Sequence, residues 1–478
     1  MAEIAATNPR TGEVDYRFTP TPRAEISAAA ARLRAMQAAW EARGPQGRAQ
    51  VLLQWAAALE AAAGEITAAL AMDTGRETIA AIEVQSCIGN IRRWAGRGPQ
   101  LFGALDHGPR ASAMPGIEIR TCYSAFPLFG AIAPWNFPVI LSHVDAVPAL
   151  MAGAAALVKP SEVTPRFAAP MARIAASIEG LPLAYVLGGP EVGEALIGEV
   201  DYVCFTGSTA TGRKVAEAAA RRLIPANLEL GGKDPMIITA SADPAWAAAI
   251  ALRASVIATG QACQSIERVY VARAIAEPFL AALTEGARAV RPAFPQGAGG
   301  ALGPFIFPPQ AAKVQAQIDE ALARRARLLA GGTVERLGGG HYLAPTVLAD
   351  VTPDMAVMRE ETFGPVIPVT IFDDIAEAIG QANASDYGLA AAVLAGSLEE
   401  AAAIAPLLEA GAVSLQDGAL TSIVSDAPNM SRKGSGLGPS RSGDSGMLRF
   451  LREQALIAQT GTPLPLAAYA ERSGPTQG

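Results

Sequence analysis

The sequence predicts an α/β protein in which largely parallel sheets are covered by helices. From residue 128 onward, short apolar runs alternate with helical stretches, and a Gly/Pro-rich interval at 292–309 separates two groups of them. Such alternation is typical of parallel sheets with helices on their faces. Ahead of it, residues 22–100 are rich in alanine, with apolar residues at three- and four-residue spacing. This spacing predicts a mostly helical N-terminal region.

The predicted strands follow in order along the chain. The first group reads GAIAPW, AALVKP, AYVLGG, YVCFTGS, NLELGG, PMIIT and RVYVA, and the second reads APTVLAD, PVIPVTIF, AAVLAG and GAVSL. Residues 103–124 open with Gly and Pro and continue as GIEIRTCYS, whose alternation predicts a strand or hairpin. The segment 461–478 is predicted to be a C-terminal tail that is ordered only where a neighbouring subunit holds it.

Composition excludes several classes of protein. The 478 residues are 50% hydrophobic and 17% charged, which excludes disorder over most of the chain. A net charge of −7 disfavours nucleic acid and anionic membrane surfaces as partners. Four cysteines without a CxxC pair and three histidines predict no metal site and a reducing compartment. The N-terminus lacks the apolar core of a signal peptide, and prolines interrupt the most apolar stretch, 125–141, so we expect a cytoplasmic protein.

One cysteine is a candidate nucleophile. Cys263 lies in ATGQACQSIERVYV, a loop rich in small and polar residues before a predicted strand. A nucleophilic sulfur has to be reachable and its thiolate stabilised, and such a loop allows both. The alternative is a small buried apolar side chain, which is the commoner role of a single cysteine.

Two further motifs carry polar side chains suited to catalysis. In LELGGK, Glu229 stands between leucines, and apolar surroundings raise the pKa of a carboxyl group toward that of a general base. In PWNFP, two prolines fix a turn that presents Asn136, whose amide can donate to a developing oxyanion. The alternatives are a solvated glutamate at a strand end and a stiff turn in which the asparagine bonds its own backbone.

Two strand ends are candidates for binding a nucleotide. Gly207, Ser208 and Gly212 of FTGSTATG stand where a strand turns into a helix, and free N–H groups there can bind pyrophosphate. Their GxxxxG spacing differs from the GxGxxG fingerprint. In KPSE, Lys159 and Glu162 can hydrogen-bond ribose hydroxyls, with an exposed charged turn as the alternative.

In combination and order, these motifs resemble the aldehyde dehydrogenase superfamily. The matching motifs, from about residue 5 to 460, are PWNFP, KPSE, FTGS, LELGGK, GQAC, EETFGP, NASDYGLAA and KGSGLG. The most specific feature is Glu229 of LELGGK followed 34 residues later by Cys263 of GQAC. The resemblance implies an NAD(P)-dependent enzyme of the hydrolytic, non-CoA-acylating type. Cys263 would form a thiohemiacetal and a thioester, Asn136 would hold the oxyanion, and Glu229 would activate water.

The resemblance also implies the cofactor contacts. Lys159 and Glu162 match residues at the adenosine ribose, and a carboxylate there repels a 2′-phosphate, so NAD is favoured over NADP. The remaining contacts are Gly207 and Ser208 at the pyrophosphate, Trp135 near the nicotinamide, and Glu361 and Phe363 at the nicotinamide ribose and ring.

The implied architecture is the three-part aldehyde dehydrogenase fold. It consists of a Rossmann-like NAD-binding domain from 1–102 and 125–231, a second α/β catalytic domain from 232–430, and a small β oligomerisation element from 103–124 and 447–460. A strand that extends a neighbour's sheet implies a homodimer or homotetramer. The active site is expected between the two large domains, at the carboxyl ends of strands.

One segment departs from the family pattern. The usual PFGGxKxSG is replaced by DAPNMSRKGSG, without the aromatic residue and the glycine pair, so no particular aldehyde can be transferred. Arg432, Lys433 and Arg441 are predicted to form a solvated basic loop, with binding of an acidic substrate as the alternative. His143, one turn beyond PWNFP, is predicted to pack in the core rather than to line a substrate tunnel.

Two other functions compete with a hydrolytic dehydrogenase. A CoA-acylating enzyme would pass the thioester to CoA, but members of that kind tend to lack the glutamate of LELGGK. A binding or structural protein that kept the fold would have no chemical need for Asn136, Glu229 and Cys263 together.

Overall fold

The computed structural model describes residues 2–105 and 107–471. The chain begins with an antiparallel hairpin, which the sequence analysis did not predict, and continues with four helices. These elements are β1 (Ile4–Thr7), β2 (Val14–Phe18), α1 (Arg23–Ala42), α2 (Gly44–Ala61), α3 (Ala63–Thr74) and α4 (Glu77–Leu105). The helical region predicted for 22–100 is therefore confirmed.

Strands and helices then alternate up to the LELGGK motif. The elements are β3 (Arg110–Ala111), β4 (Ile117–Ala125), β5 (Leu128–Ile132), α5 (Pro138–His143), α6 (Ala146–Ala152), β6 (Ala155–Lys159), α7 (Ala168–Ser177), β7 (Leu183–Tyr185), α8 (Pro190–Glu199), β8 (Tyr202–Thr206), α9 (Thr209–Arg221) and β9 (Ala226–Glu229).

A second alternating series follows. Its first part is β10 (Asp234–Ile238), α10 (Pro244–Val256), the 3-10 helix Ile257–Gly260, β11 (Ile266–Ala272), α11 (Arg273–Ala289), α12 (Pro308–Ala323), β12 (Arg327–Ala330), β13 (Val334–Leu337), β14 (Gly340–Leu343), β15 (Thr346–Ala349), α13 (Ala356–Arg359) and β16 (Val366–Phe372). Its second part is α14 (Ile375–Asn383), β17 (Tyr387–Gly388), β18 (Ala390–Leu394), α15 (Leu398–Ile404), the 3-10 helix Ala405–Leu407, β19 (Ala412–Leu415), α16 (Leu420–Ile423), β20 (Arg432–Lys433), β21 (Gly436–Leu437), α17 (Ser445–Leu448), β22 (Leu451–Gln459) and the 3-10 helix Leu466–Tyr469.

Two large sheets carry the fold. The first has the order β21-β9-β8-β5-β6-β7, and all its neighbours are parallel except β21. The second has the order β12-β15-β16-β11-β10-β18-β19, and only β12 is antiparallel to its neighbour. Every predicted apolar run overlaps one of these strands, so the predicted α/β class with parallel sheets is confirmed.

Apolar side chains from the helices cover both sheets. Trp40, Trp55 and Trp94 of the N-terminal helices are fully buried and pack in one core with Phe129 of β5. Separate cores lie on either side of the second sheet. Burial of this much apolar surface fixes the strand ends from which the site residues project.

A small third sheet joins distant parts of the chain. It has the order β22-β4-β3, and β22 is antiparallel to β4 from Leu451 opposite Ala125 to Gln459 opposite Ile117. Residues 103–105, the start of the segment predicted as a strand or hairpin (103–124), are instead the last residues of α4. The helix continues through the glycine and proline residues near its end and stops at Leu105. In the predicted tail, residues 461–471 are exposed and the remainder, 472–478, lies outside the described residues. Within the described ranges, no helix has the length and apolar character needed to cross a membrane.

Candidate active site

A cleft of about 130 Å³ lies at the carboxyl ends of the first sheet's strands and reaches the loops of the second sheet. It brings together most of the predicted site residues. Its lining consists of Pro134, Trp135, Asn136, Thr206, Gly207, Ser208, Leu230, Gly231, Cys263, Gln310, Glu361 and Phe363. Glu229, Lys159 and Glu162 do not line it. The cleft therefore joins the candidate nucleophile to the candidate cofactor turn.

Cys263 lies just after a tightly wound turn. Ala258, Thr259 and Gly260 all have left-handed backbone conformations, with φ of 54°, 62° and 64°. A Cβ on Gly260 would stand 2.4 Å from the carbonyl of Gly364, so the turn bearing the cysteine packs directly on the EETFGP segment. Burial raises the pKa of the Cys263 thiol to about 12, and nearby carboxylates act in the same direction. The thiol is therefore neutral near neutral pH and requires a base to react.

The Asn136 side chain is hydrogen-bonded to the loop that carries Cys263. Its side-chain amide Nδ2 donates to the main-chain oxygen of Gln261 at 3.0 Å, and its side chain is buried. Arg76, which immediately precedes α4, donates to the main-chain oxygen of Asn136 and, at 3.3 Å, to that of Ala258. Arg76 thus hydrogen-bonds both the turn that carries Asn136 and the turn that precedes Cys263. A single arginine between two helices carries no local signal, so this role could not be predicted from the sequence.

Glu229 ends β9 and faces the C-terminal segment. Its Oε2 accepts a hydrogen bond from the Ser431 hydroxyl at 2.8 Å, and Arg441 Nε lies 3.9 Å from its Oε1. Burial raises the pKa of Glu229, and Arg441 and Ser431 partly offset that rise. With 12% of its side chain exposed, Glu229 is not the solvated glutamate of the alternative. The hydrogen-bond partners are contacts that the sequence analysis did not predict.

The turn after β8 leads directly into α9. Ser208 caps α9 by accepting from the Thr211 amide at 3.3 Å. The Gly207 amide donates to the main-chain oxygen of Glu229 at 3.1 Å, and a Cβ on Gly212 would stand 2.5 Å from Leu230. The close packing of α9 leaves the helix N-terminus beside the cleft, where the helix dipole favours a phosphate group.

Lys159 and Glu162 form an ion pair at the end of β6. Lys159 Nζ lies 3.2 Å from Glu162 Oε2 and donates to Pro160 O at 3.1 Å. The Lys159 side chain is buried, whereas that of Glu162 is 36% exposed. Burial lowers the pKa of Lys159, and Glu162 acts in the opposite direction. Glu162 is thus an accessible carboxylate held by a buried cation.

The EETFGP segment closes the other side of the cleft. Glu361 Oε1 accepts from the Gly232 amide at 3.1 Å, and burial raises the pKa of Glu361 to about 7. Phe363 has a φ of 56° and packs edge-on against Trp135 with ring centroids 5.4 Å apart. Two predicted cofactor residues, Trp135 and Phe363, therefore form one aromatic wall.

A buried ion pair holds the backbone of the EETFGP segment in place. Glu267 accepts from the amides of Thr362 and Phe363 at 2.8 and 2.7 Å, and Lys233 Nζ lies 2.8 Å from Glu267 Oε2. Both side chains are almost fully buried. Lys233 belongs to the quoted LELGGK motif, but the sequence analysis assigned it no role and did not identify Glu267.

The structure tests the remaining side-chain predictions. Arg441 is buried against Asp145, so its prediction as part of a solvated loop is wrong, while Arg432 and Lys433 are exposed as predicted. His143 is fully buried and hydrogen-bonded to Tyr185 Oη at 2.6 Å, which confirms its prediction as a packing residue. Arg441 departs from the prediction because the buried carboxylate of Asp145, which is distant in sequence, is its ion-pair partner.

Comparisons with known proteins identify the family of this chain. The model of the aldehyde dehydrogenase family matches residues 2–456. A Mycolicibacterium smegmatis protein provisionally named succinate-semialdehyde dehydrogenase (NADP+) is 38% identical over 442 residues, which cover 90% of this chain and 84% of that relative. Betaine aldehyde dehydrogenase of Cereibacter sphaeroides is 37% identical, over 91% of this chain and 90% of its own.

Solved structures of aldehyde dehydrogenases have the same fold as this chain. A protein of Anabaena variabilis provisionally named aldehyde dehydrogenase PutA has a TM-score of 0.94 and 44% identity, with 97% of this chain and 99% of that chain covered. Lactaldehyde dehydrogenase of Escherichia coli has a TM-score of 0.90 and 32% identity, with 96% of each chain covered. The likeness therefore spans the whole architecture.

Proposed function

Since this chain belongs to the aldehyde dehydrogenase family of oxidoreductases, we propose that it oxidises an aldehyde to a carboxylic acid, with NAD as the hydride acceptor and Cys263 as the nucleophile. The observation that carries the proposal is that Cys263 and Asn136 share one cleft with the helix-capping turn at Gly207 and Ser208. Nucleophile, oxyanion donor and phosphate site are thereby within reach of one substrate–cofactor pair.

The cleft suits a nicotinamide dinucleotide. The N-terminus of α9 offers amides to a pyrophosphate, and the wall of Trp135 and Phe363 offers a flat apolar surface to a ring. A bound nicotinamide ring supplies an acceptor for the hydride that leaves the substrate carbon. Lys159 and Glu162 would hold the adenosine ribose, and Glu361 the nicotinamide ribose.

In the proposed acylation, the Cys263 proton passes to Glu229 and the sulfur attacks the carbonyl carbon. The new C–S bond displaces the carbonyl π pair onto oxygen, and the second N–H of the Asn136 amide, with the Cys263 main-chain N–H, receives this charge. When the hydride leaves with its electron pair, the C=O bond forms again and a thioester remains on Cys263. Because the thiol has a raised pKa, this step requires the base.

After acylation, Glu229 releases the Cys263 proton to solvent. In the proposed deacylation, the ionised Glu229 takes a proton from water and the hydroxide attacks the thioester carbon. The C–S bond breaks, the carboxylic acid leaves, and the Cys263 sulfur takes the proton back from Glu229. Glu229 suits this role because its raised pKa strengthens it as a base while Arg441 and Ser431 still favour its ionised form.

The preference for NAD rests on Glu162. Its exposed carboxylate can accept hydrogen bonds from the 2′- and 3′-hydroxyls of a ribose and would repel a 2′-phosphate. The name of the Mycolicibacterium smegmatis relative specifies NADP+ and so favours the opposite choice. The cofactor therefore has to be varied in the same assay as the aldehyde.

The quaternary structure proposed is a homodimer or homotetramer in which the third sheet meets a partner. β22 has one neighbour, β4, among the described strands, and its side chains are nearly all exposed, including Leu456 and Ile457. An unpaired edge with exposed apolar side chains favours pairing with another chain. The proposed division into NAD-binding, catalytic and oligomerisation parts follows the three sheets.

The test is reduction of NAD or NADP across an aldehyde panel, without CoA. The panel includes the aldehydes that the relatives' names contain, namely succinate semialdehyde, betaine aldehyde and lactaldehyde, together with simple aliphatic and aromatic ones. We expect turnover with NAD that is lost in Cys263→Ala and retained in Cys122→Ala, a partly exposed cysteine on β4. Turnover that appears only after CoA is added would instead support the acylating alternative.

A further inference from the structure

The Glu229 carboxylate is contacted by the segment that departs from the family pattern. The Ser431 hydroxyl donates to its Oε2 at 2.8 Å, and Arg441 Nε lies 3.9 Å from its Oε1. The Glu229 and Arg441 side chains are only 12% and 13% exposed, so solvent screens their interaction weakly. Both oxygens of the candidate base thus face residues 431–441.

Arg441 is fixed by a buried network. Its Nη2 donates to Asp145 Oδ2 at 2.8 Å and to Thr206 Oγ1 at 2.7 Å. Asp145 is 3% exposed, and its other oxygen accepts from Arg449. Because Asp145 bridges two guanidinium groups, the Arg441 side chain is anchored through its Nη2 atom.

One N–H donor of the Arg441 guanidinium group, Nε, is not used by this network. Its Nε is buried and has no hydrogen-bond partner within residues 2–105 and 107–471. A buried guanidinium N–H without an acceptor is costly, and the carboxylate of Glu229 stands in front of it. The Glu229 carboxylate, 3.9 Å away, is thus the negative charge that this donor faces.

The backbone of the segment is also attached to Glu229. Gly436 of β21 pairs with Glu229 and Leu437 with Leu228, and the Leu230 amide donates to Ser435 O at 2.8 Å. Ser431 and Arg441 therefore flank a short strand that is in register with the candidate base. Their positions relative to Glu229 are set by the sheet and not by a free loop.

We propose that Ser431 and Arg441 are positioning residues that hold the Glu229 carboxylate in place and keep it ionised for attack on the thioester. This inference rests on the proposed function, in which Glu229 is the base. Neither residue touches the substrate in this proposal; both act through Glu229.

The charges around Glu229 agree with that role. Burial and Asp145 raise the pKa of Glu229, whereas Arg441, Ser431 and Arg449 lower it. Cys204 of β8 and Cys263 are the thiols within electrostatic range of Glu229, and burial raises the pKa of each, so both are neutral near neutral pH. Loss of Arg441 or Ser431 therefore raises the pKa of Glu229 and leaves the base protonated over a wider pH range.

The experiment is the pH dependence of kcat for Arg441→Met, Ser431→Ala and Arg441→Lys, with Arg432→Met as the matched control. Arg432 lies in the same segment but is exposed. We expect the acidic limb to move up by about one pH unit in Arg441→Met, less in Ser431→Ala, and to be partly restored in Arg441→Lys. On that limb, kcat of Arg441→Met should be about tenfold below that of the wild type at the same pH. Arg432→Met should keep the wild-type profile.

Two results separate this inference from the proposed function. An unchanged acidic limb in both Arg441→Met and Ser431→Ala, with Glu229→Gln still trapping an acyl-enzyme, would overturn the inference alone. Full turnover by Glu229→Gln would overturn the proposed function itself. If Arg441→Met fails to fold because Asp145 loses a partner, Ser431→Ala decides, since it removes one hydroxyl and no buried charge.

Discussion

The side-chain amide of Asn136 donates to the main-chain oxygen of Gln261 at 3.0 Å. This hydrogen bond joins a turn of the first sheet to the loop of the second sheet that carries Cys263. An amide has two N–H groups, so one can hold the loop while the other faces a substrate oxygen. The candidate oxyanion donor and the candidate nucleophile are therefore fixed relative to each other before any aldehyde arrives.

Replacing Asn136 by Ala should slow acylation. Loss of one oxyanion donor typically costs about 100- to 1000-fold in kcat, and here the link to Gln261 is lost as well. The check is stopped-flow measurement of the rate of NADH formation in the first turnover. NAD binding is the control for an intact cofactor site. A first-turnover rate within about threefold of wild type would show that Asn136 does not stabilise the oxyanion.

Replacing Glu162 by Ser should relax the cofactor preference. Removing the carboxylate removes repulsion of a 2′-phosphate and two ribose acceptors, so the ratio of kcat/KM for NAD over NADP should fall about tenfold or more. Glu194→Ser, an exposed glutamate on α8, is the matched control and should leave the ratio unchanged. An unaltered ratio in Glu162→Ser would exclude this residue as the discriminating group.

Replacing Glu267 by Gln should destabilise the fold strongly. The change leaves Lys233 as a buried charge without its counter-ion, which costs about 3 kcal/mol or more in the free energy of unfolding. Asp373→Asn is the comparison, because its pair with Arg273 is exposed and should contribute little. Denaturant unfolding of the two variants measures the difference. Equal losses would contradict a supporting role for the buried pair.

His143 should make stability depend on pH. Burial lowers its pKa from 6.5 to about 4, so between these values the unfolded chain binds a proton that the folded chain does not. The stability of the wild type relative to His143→Gln should therefore decrease as pH falls through this window, by about 3 kcal/mol in total. Denaturant unfolding at a series of pH values tests this. A constant difference would show that the imidazole does not stay neutral in the core.

The fold was largely predictable because its signals are local. The runs AALVKP and YVCFTGS are apolar enough to indicate buried strands, and both are fully buried in β6 and β8. The hairpin β1–β2 was not predicted, because only two of its nine residues are buried and it lacks a clear apolar alternation.

The supporting contacts of the site were less predictable for a physical reason. Arg76 reaches Asn136 across 60 residues, and Arg441 reaches Asp145 across 296. A buried contact of this kind depends on where the fold places two residues that are distant in sequence, and the arginine carries no periodicity or motif of its own. Motifs therefore identified the side chains at the cleft, and the structure was needed to find the residues that hold them.

The most direct test of the hydrolytic account is intact-mass analysis of Glu229→Gln after mixing with NAD and a turned-over aldehyde. We predict a burst of about one NADH per active site, followed by slow turnover, and a protein mass increased by the acyl group. That added mass should be absent from the double variant with Cys263→Ala. Undiminished steady-state turnover without an acyl-enzyme would contradict the assignment of Glu229 as the deacylating base.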